Sequence, residues 1–423
     1  MQIHDIIHCK MIDWLFNLSF EEEYKLRLSV KSSSISGSLT LAIDAKAKKM
    51  KSEGMDVVGF GAGEPDFDTP SFIREAAKEA LDRGMTRYTP VAGIAELKEA
   101  ICRKFKEDNG LDYKPSQIIV SNGAKHSLYN AFQAILNPGD EVIIPSPYWL
   151  SYPELVRLAD GVPVFVETRE EDDFKLKPES LKKAITRKTK ALVINSPNNP
   201  CGCVYERAEL QAIAEIAVEN QLFVVSDEVY EAMVYDGLQH TSIASLGPEI
   251  KDLTIVVNGV SKTYAMTGWR IGYAAAHEDV VKVMSNVQSH TTSNPNSIAQ
   301  YASLAALTGP KDEVKAMVDE FDKRRKYMVE RINSIPGLSC RMPKGAFYVM
   351  MNISQVIGKT YKGRRIEGSL SFADALLDAQ MVAVVPGVAF GADNFVRLSY
   401  AISLDNIKKG LDRIEAFIKE LEG

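Results

Sequence analysis

The stretch VVNGVSKTYAMTGWRIGY, residues 256 to 273, runs from a β-branched apolar segment into Ser261 and Lys262, then carries Arg270 inside Gly-Trp-Arg-Ile-Gly. Long charged side chains are seldom buried without a partner, so a lysine just past a strand ordinarily faces solvent. Other residues in the chain change that reading. Gly123-Ala124-Lys125, Tyr148-Trp149, Asn198-Asn199 and Asp227 also follow short apolar runs that end in Gly, Asn, Ser or Asp. Each has a plain explanation when taken alone. Asp227 could cap a helix, Trp149 could belong to a core, and Asn199 in PNNP could make a turn. As a set they assemble a glycine-opened helix start, an aromatic, an amide, a carboxylate and an amine.

In a parallel α/β sheet, ligands bind outside the carboxyl ends of the strands, so all of these residues can face one crevice. The set suits pyridoxal 5′-phosphate. Lys262 can form a Schiff base with the cofactor aldehyde once desolvation and nearby positive charge, such as Arg270, depress its amine toward neutrality. Asp227 can keep the pyridine nitrogen protonated, which makes the ring an electron sink. Trp149 can stack on the ring, and Asn199 or Tyr230 can hydrogen-bond its oxygen. The helix start after Gly123, with Ser261 and Arg270, can hold the phosphate.

The elements that must position these groups are legible as alternation. Between about residues 70 and 300, amphipathic helical stretches such as ERAELQAIAEIAVENQ alternate with the runs SQIIVSNG, DEVIIPSP, KALVINSP, LFVVSDE and LTIVVNG. That rhythm predicts βαβ units and a mainly parallel sheet. After about residue 310 the texture changes to a long charged helix, then GLSCRMPKGAFYVMMNI, a further helix and AVVPGVAFG before VRLSYA, with a final helix from about Asp405 to Glu422. We therefore expect a large cofactor-binding domain over residues 71–310 and a smaller, discontinuous α+β domain from 31–70 and 311–423. Residues 1–30 form an N-terminal extension, either native or an artefact of the assigned start, with Met11 an alternative start.

Composition narrows the function. The chain has 423 residues, 45% hydrophobic and 25% charged, with a net charge of −6, which fits a soluble globular protein. Phosphate-backbone binding needs a basic excess or stripe, and none is visible, so nucleic acid is not expected as a partner. No run approaches the roughly 18 apolar residues of a membrane span. Cys9, Cys102, Cys201, Cys203 and Cys340 show no CxxC pairing, so we expect neither a metal site nor a disulfide framework, and a cytoplasmic location. Cys201 and Cys203 read as structural.

The chain resembles the class I aminotransferases of fold type I, and within them the bacterial aspartate aminotransferase branch, from about Leu39 onward. The resemblance is carried by GAGEPDFDTP, RYTPVAGIAELKEAI, SNGAKHSLYNAFQAILNPGDEVIIPSPYWLSYPE, NSPNNPCG, SDEVYE, SKTYAMTGWRIGY, GAFYVM and VRLSYA. It implies a three-layer α/β fold, with Lys262 as the Schiff-base lysine, Asp227 at the pyridine nitrogen, and Tyr230 and Asn199 at the ring oxygen. It also implies that Trp149 stacks, and that Ser261, Arg270 and the N–H groups of Ala124 and Lys125 hold phosphate. Arg397 would grip the substrate α-carboxylate, Gly63 would close over the substrate, and Lys125 would meet the distal carboxylate of a dicarboxylic substrate. Tyr88 would reach the phosphate of a neighbouring subunit, which implies a homodimer with shared active sites.

The implied reaction moves an amino group between an amino acid, aspartate or glutamate, and a 2-oxo acid. Alternatives on the same scaffold are an aminotransferase for aromatic amino acids or prephenate, and a carbon–sulfur lyase or cyclopropane-forming synthase. A non-catalytic sensing module is a further alternative, but no helix-turn-helix pattern precedes residue 39. Two departures from the family pattern stand out. Cys201 replaces the usual threonine after Asn199-Pro200, and the proline expected before Ser38-Leu39-Thr40 is missing, which is expected to loosen the segment that would cover the substrate.

Overall fold

The computed structural model describes residues 28–33 and 35–423. Its strands begin with β1 (Val58–Gly59), β2 (Ile118–Ser121), β3 (Glu141–Ser146), β4 (Val162–Glu167) and β5 (Thr189–Asn195). They continue with β6 (Phe223–Asp227), β7 (Thr254–Gly259), β8 (Gly272–Ala275), β9 (Tyr348–Asn352), β10 (Thr360–Tyr361) and β11 (Arg364–Arg365). The last are β12 (Val382–Ala383), β13 (Val385–Pro386) and β14 (Phe395–Ser399).

Seven of these form one sheet in the order β2-β8-β7-β6-β5-β3-β4. Every neighbouring pair is parallel except those made by β8, which runs against both β2 and β7. The five runs read from the sequence are β2, β3, β5, β6 and β7. Alternate residues of one strand join different cores: Ile255 and Val257 pack with Leu128 and Phe132, whereas Val256 packs with Leu97 and Phe105. Helices therefore cover both faces, which gives three layers and explains why the central strands are near-continuous apolar runs.

The second sheet is antiparallel, in the order β13-β14-β9, with Arg397 paired to Met350 on one side and Val385 on the other. β1 pairs in parallel with β12. Val58 and Phe60, from early in the chain, share a core with Phe321 and Met328 of the helix Asp312–Asn333 and with Ile407, Leu411 and Ile414 of the helix Leu404–Lys419. That helix is strongly amphipathic, its buried positions recurring at helical spacing.

The described residues before Gly37 belong to a unit apart from Gly37–Gly423 and include a single helical turn, Val30–Ser33. Residues 1–27, on which most of the expected extension, the alternative start at Met11 and Cys9 fall, lie outside the described residues. Among the described residues no helix is long and apolar enough to cross a membrane. Cys201 and Cys203 are buried beside Leu192 and Met350, and burial pushes the Cys203 thiol up to about 12.

Candidate active site

The parallel strands deliver their carboxyl ends to one edge of the large sheet, and a cavity of about 410 Å³ opens there. β3 leads to Trp149, β5 to Asn195 and Asn199, β6 ends on Asp227, and β7 leads to Ser261 and Lys262. The antiparallel direction of β8 has a consequence at the same edge: the strand starts there, so Arg270, two residues before it, also lines the cavity. The second sheet contributes Arg397 from β14 and Tyr348 from β9, and the segment after β1 contributes Gly61, Gly63 and Glu64.

Lys262 is half-buried, and its Nζ donates to the Gly63 carbonyl oxygen. Burial lowers its amine to about 8, helped by Arg397 and Arg270 and opposed by Glu64 and Asp227. The direction and the first cause agree with the sequence reading, with Arg397 acting ahead of Arg270. Asp227 is buried, and burial raises its carboxyl to about 6 although Tyr152 and the Val229 N–H both favour the anion. Tyr152 donates to Asp227 Oδ2 at 2.7 Å. The Tyr230 hydroxyl pairs with that of Tyr348 at 3.0 Å.

Arg397 is 2% exposed and lies 4.4 Å from the Tyr348 ring centre. It donates to Asn199 Oδ1 and to the Gly61 carbonyl, both at 3.0 Å, while its Nε has no partner. It has no carboxylate partner among the described residues. Lys125 Nζ sits 5.0 Å from the Trp149 ring centre, and burial, with Arg270 beside it, lowers its amine. It too has no carboxylate partner among the described residues.

The helix Ala124–Ile135 starts at this edge behind Gly123, which has φ +85°. A Cβ on Gly123 would stand 2.4 Å from Arg270 Nη2, and one on Gly272 would stand 2.2 Å from the Ala124 nitrogen. Both glycines are therefore required for the helix start, β8 and the Arg270 head to meet. First-turn N–H groups of a helix have no acceptor within it and carry its positive pole.

Tyr88 does not line this cavity; it is 92% exposed. Cys201 donates its backbone N–H to Asn198 Oδ1, so the thiol that replaces the expected threonine leaves the turn hydrogen-bonded. Ser38 caps the helix Leu39–Ser52, its Oγ accepting from the Leu41 N–H and lying 2.9 Å from Thr40 Oγ1.

Residues 55–414 match the family model for aminotransferase class I and II. The chain is 50% identical over 395 residues to the aspartate aminotransferase of Bacillus subtilis (strain 168), covering 93% of this chain and 100% of the relative. It belongs to the class I and II aminotransferases. The aspartate/prephenate aminotransferase of Cereibacter sphaeroides is 50% identical over 382 residues, covering 90% of this chain and 96% of the relative. A crystal structure of the Rhizobium meliloti aspartate aminotransferase superposes with a TM-score of 0.91 at 45% identity, covering 94% of this chain and all of that one.

Several residues of this aminotransferase that touch the cavity were given no role from sequence. Tyr152 lies three residues past Trp149, on the helix Ser151–Leu158 that follows β3. Asn195 ends β5 and ties Asp227 to Asn199 through Nδ2 to the Asp227 carbonyl and Oδ1 from the Asn199 N–H. Glu64 accepts from Thr267 Oγ1 at 2.7 Å. Tyr348 and Glu64 stand inside the quoted GAFYVM and GAGEPDFDTP, where a tyrosine and a glutamate give no spacing signal of their own.

Proposed function

We propose that this aminotransferase holds pyridoxal 5′-phosphate in the 410 Å³ cavity and moves an amino group between a dicarboxylic amino acid, aspartate or glutamate, and a 2-oxo acid. The donor set fits the cofactor. An amine lowered to about 8 and a carboxyl raised to about 6 share the cavity, and a helix start lies beside a guanidinium with no room for a side chain between them.

Lys262 would hold the cofactor through its amine and Asp227 would hold a proton at the ring nitrogen. Trp149 would cover the ring, while the backbone N–H groups of Ala124 and Lys125, with Ser261 and Arg270, would seat the phosphate. Asn199 spends its Oδ1 on Arg397, which leaves its amide N–H groups to donate to the ring oxygen beside Tyr230. When bound, the cofactor supplies an aldehyde and an electron sink for the substrate Cα. Arg397 orients the α-carboxylate by two-pronged contact, which a planar guanidinium suits. Lys262, neutral in part near pH 8, takes the Cα proton as general base.

One observation carries the substrate class: of the four cavity cations without a carboxylate partner among the described residues, Lys262 and Arg270 are assigned to the cofactor, which leaves Arg397 and Lys125 for the two carboxylates of aspartate. The printed names of the Bacillus subtilis and Cereibacter sphaeroides relatives support it. The latter also favours a second reading, prephenate as an acceptor, which carries two carboxylates as well. We further propose that residues 31–70 and 311–423 act as a smaller domain around the cofactor-binding residues 71–310, and that the exposed Tyr88 completes the site of a second copy in a homodimer.

The test is the purified protein with pyridoxal 5′-phosphate, aspartate and 2-oxoglutarate. Oxaloacetate and glutamate are expected in equal amounts. No oxaloacetate from aspartate, with pyruvate and ammonia released when a β-thioether amino acid replaces aspartate, would sink the reading in favour of a carbon–sulfur lyase.

A further inference from the structure

At the end of β6, outside the cavity lining, lies a buried charged cluster that the mechanism above does not use. Glu228 follows Asp227 directly and is 1% exposed. Its Oε1 accepts from Ser226 Oγ at 2.8 Å and from Ser242 Oγ at 2.7 Å, and its Oε2 lies 3.0 Å from His240 Nε2. Burial lowers the His240 imidazole, but the Glu228 carboxylate outweighs it and the group sits above its ordinary value. Nearby, Glu231 pairs with Lys104 and accepts from Asn109 Nδ2 at 2.8 Å.

The chain between these residues makes an excursion. It leaves β6 at Asp227, turns through Tyr230 and Met233, bridges Val234 to Gly345, and returns with His240 and Ser242. Glu228 is thus the point where the outgoing and returning legs are tied together. The first turn of the excursion carries three groups of the site: Asp227, the Val229 N–H that points at Asp227 Oδ1, and Tyr230. Buried ion pairs contribute little net stability and can often be replaced by apolar side chains without loss, so a stability role alone accounts poorly for this one. Site residues are held in productive geometry by hydrogen bonds from the residues behind them, and this cluster stands where it can do that for Asp227.

We propose that Glu228, clamped by His240, Ser226 and Ser242, is a positioning residue that fixes Asp227 and Tyr230 toward the cavity. The inference rests on the proposed role of Asp227. The Glu228 carboxylate does not line the cavity and acts only through the turn it locks.

The test compares full-length holoenzyme variants Glu228→Gln, His240→Leu and His240→Gln with Asp227→Asn. In Glu228→Gln, kcat for aspartate is expected to fall about 10-fold, the scale on which groups that orient a ligating side chain act, with KM little changed. Pyridoxal 5′-phosphate retained after dilution, read from tryptophan fluorescence, falls in parallel. His240→Gln, which keeps a donor for Glu228, restores most of what His240→Leu loses. Where His240→Leu fails to fold, Glu228→Gln carries the test. A lowered Tm with unchanged kcat and unchanged cofactor retention in Glu228→Gln overturns the inference. Failure of the underlying reading shows separately: Asp227→Asn would then retain both, and the inference falls with it.

Discussion

Arg397 on β14 and Asn199 in the turn after β5 are joined by a 3.0 Å hydrogen bond although 198 positions separate them in the chain. The same guanidinium reaches the Gly61 carbonyl, so one side chain ties the second sheet, the large sheet and the segment after β1 around the cavity. Arg397→Lys keeps the charge and loses the fork. Because a hydrogen bond to a charged group contributes about 1.5–3 kcal/mol, kcat/KM should fall at least about 10-fold, equally for aspartate and alanine. Steady-state kinetics with both substrates checks this, and a loss confined to aspartate would place Arg397 at the side chain instead.

Lys125 should separate the substrates that Arg397 does not. Lys125→Ala is expected to erode the preference for aspartate over alanine by about 1.5–3 kcal/mol in kcat/KM, the scale of one charged hydrogen bond. Turnover of alanine should be nearly spared. Equal losses for both substrates would move side-chain recognition elsewhere in the cavity.

Lys262→Ala is expected to abolish transamination while the protein still takes up pyridoxal 5′-phosphate, since Trp149, Arg270 and the helix start remain. Turnover and cofactor retention after gel filtration measure the two separately. Near-normal turnover would refute Lys262 as the base.

Asp227 places a stability cost on the cofactor-free protein. Its carboxyl is raised from 3.8 to about 6 by burial, so above pH 6 the folded state holds a buried anion that the unfolded chain keeps in water. The sign follows: the penalty is fully present above pH 6 and is relieved as pH falls through 6 toward 3.8, where the folded state binds the extra proton. Asp227→Asn should therefore stabilise the cofactor-free protein by about 3 kcal/mol at pH 7, each tenfold change in protonation being about 1.4 kcal/mol, with the gain fading by pH 4. Urea melts at both values check it, and a pH-independent gain would point to altered packing.

The strands buried on both faces were readable because such strands are continuous β-branched runs closed by turn residues. β4 escaped because it is an edge strand with Val162 and Phe165 partly exposed, and β8 because its first two residues, Gly272 and Tyr273, end a motif read for Arg270. Lys262 and Asp227 could be proposed from sequence because a strand end makes a charged side chain conspicuous, whereas the role of Arg397 followed only from the resemblance. Tyr152 could not, because an aromatic on an amphipathic helix looks the same whether it packs or donates to a carboxylate. Glu228 and His240 were silent for a different reason: their partnership closes an excursion whose path no local pattern encodes.

The meeting of Gly123, Gly272 and Arg270 bears on how this chain tolerates change. Two of those three positions carry no functional group, yet a single methyl on either would collide with the Arg270 head or with the Ala124 nitrogen. Random mutagenesis screened for lost cofactor should therefore return hits at two glycines alongside the ionisable residues. The Gly272 hits should resist suppression by a second substitution, because the atom in the way there is backbone.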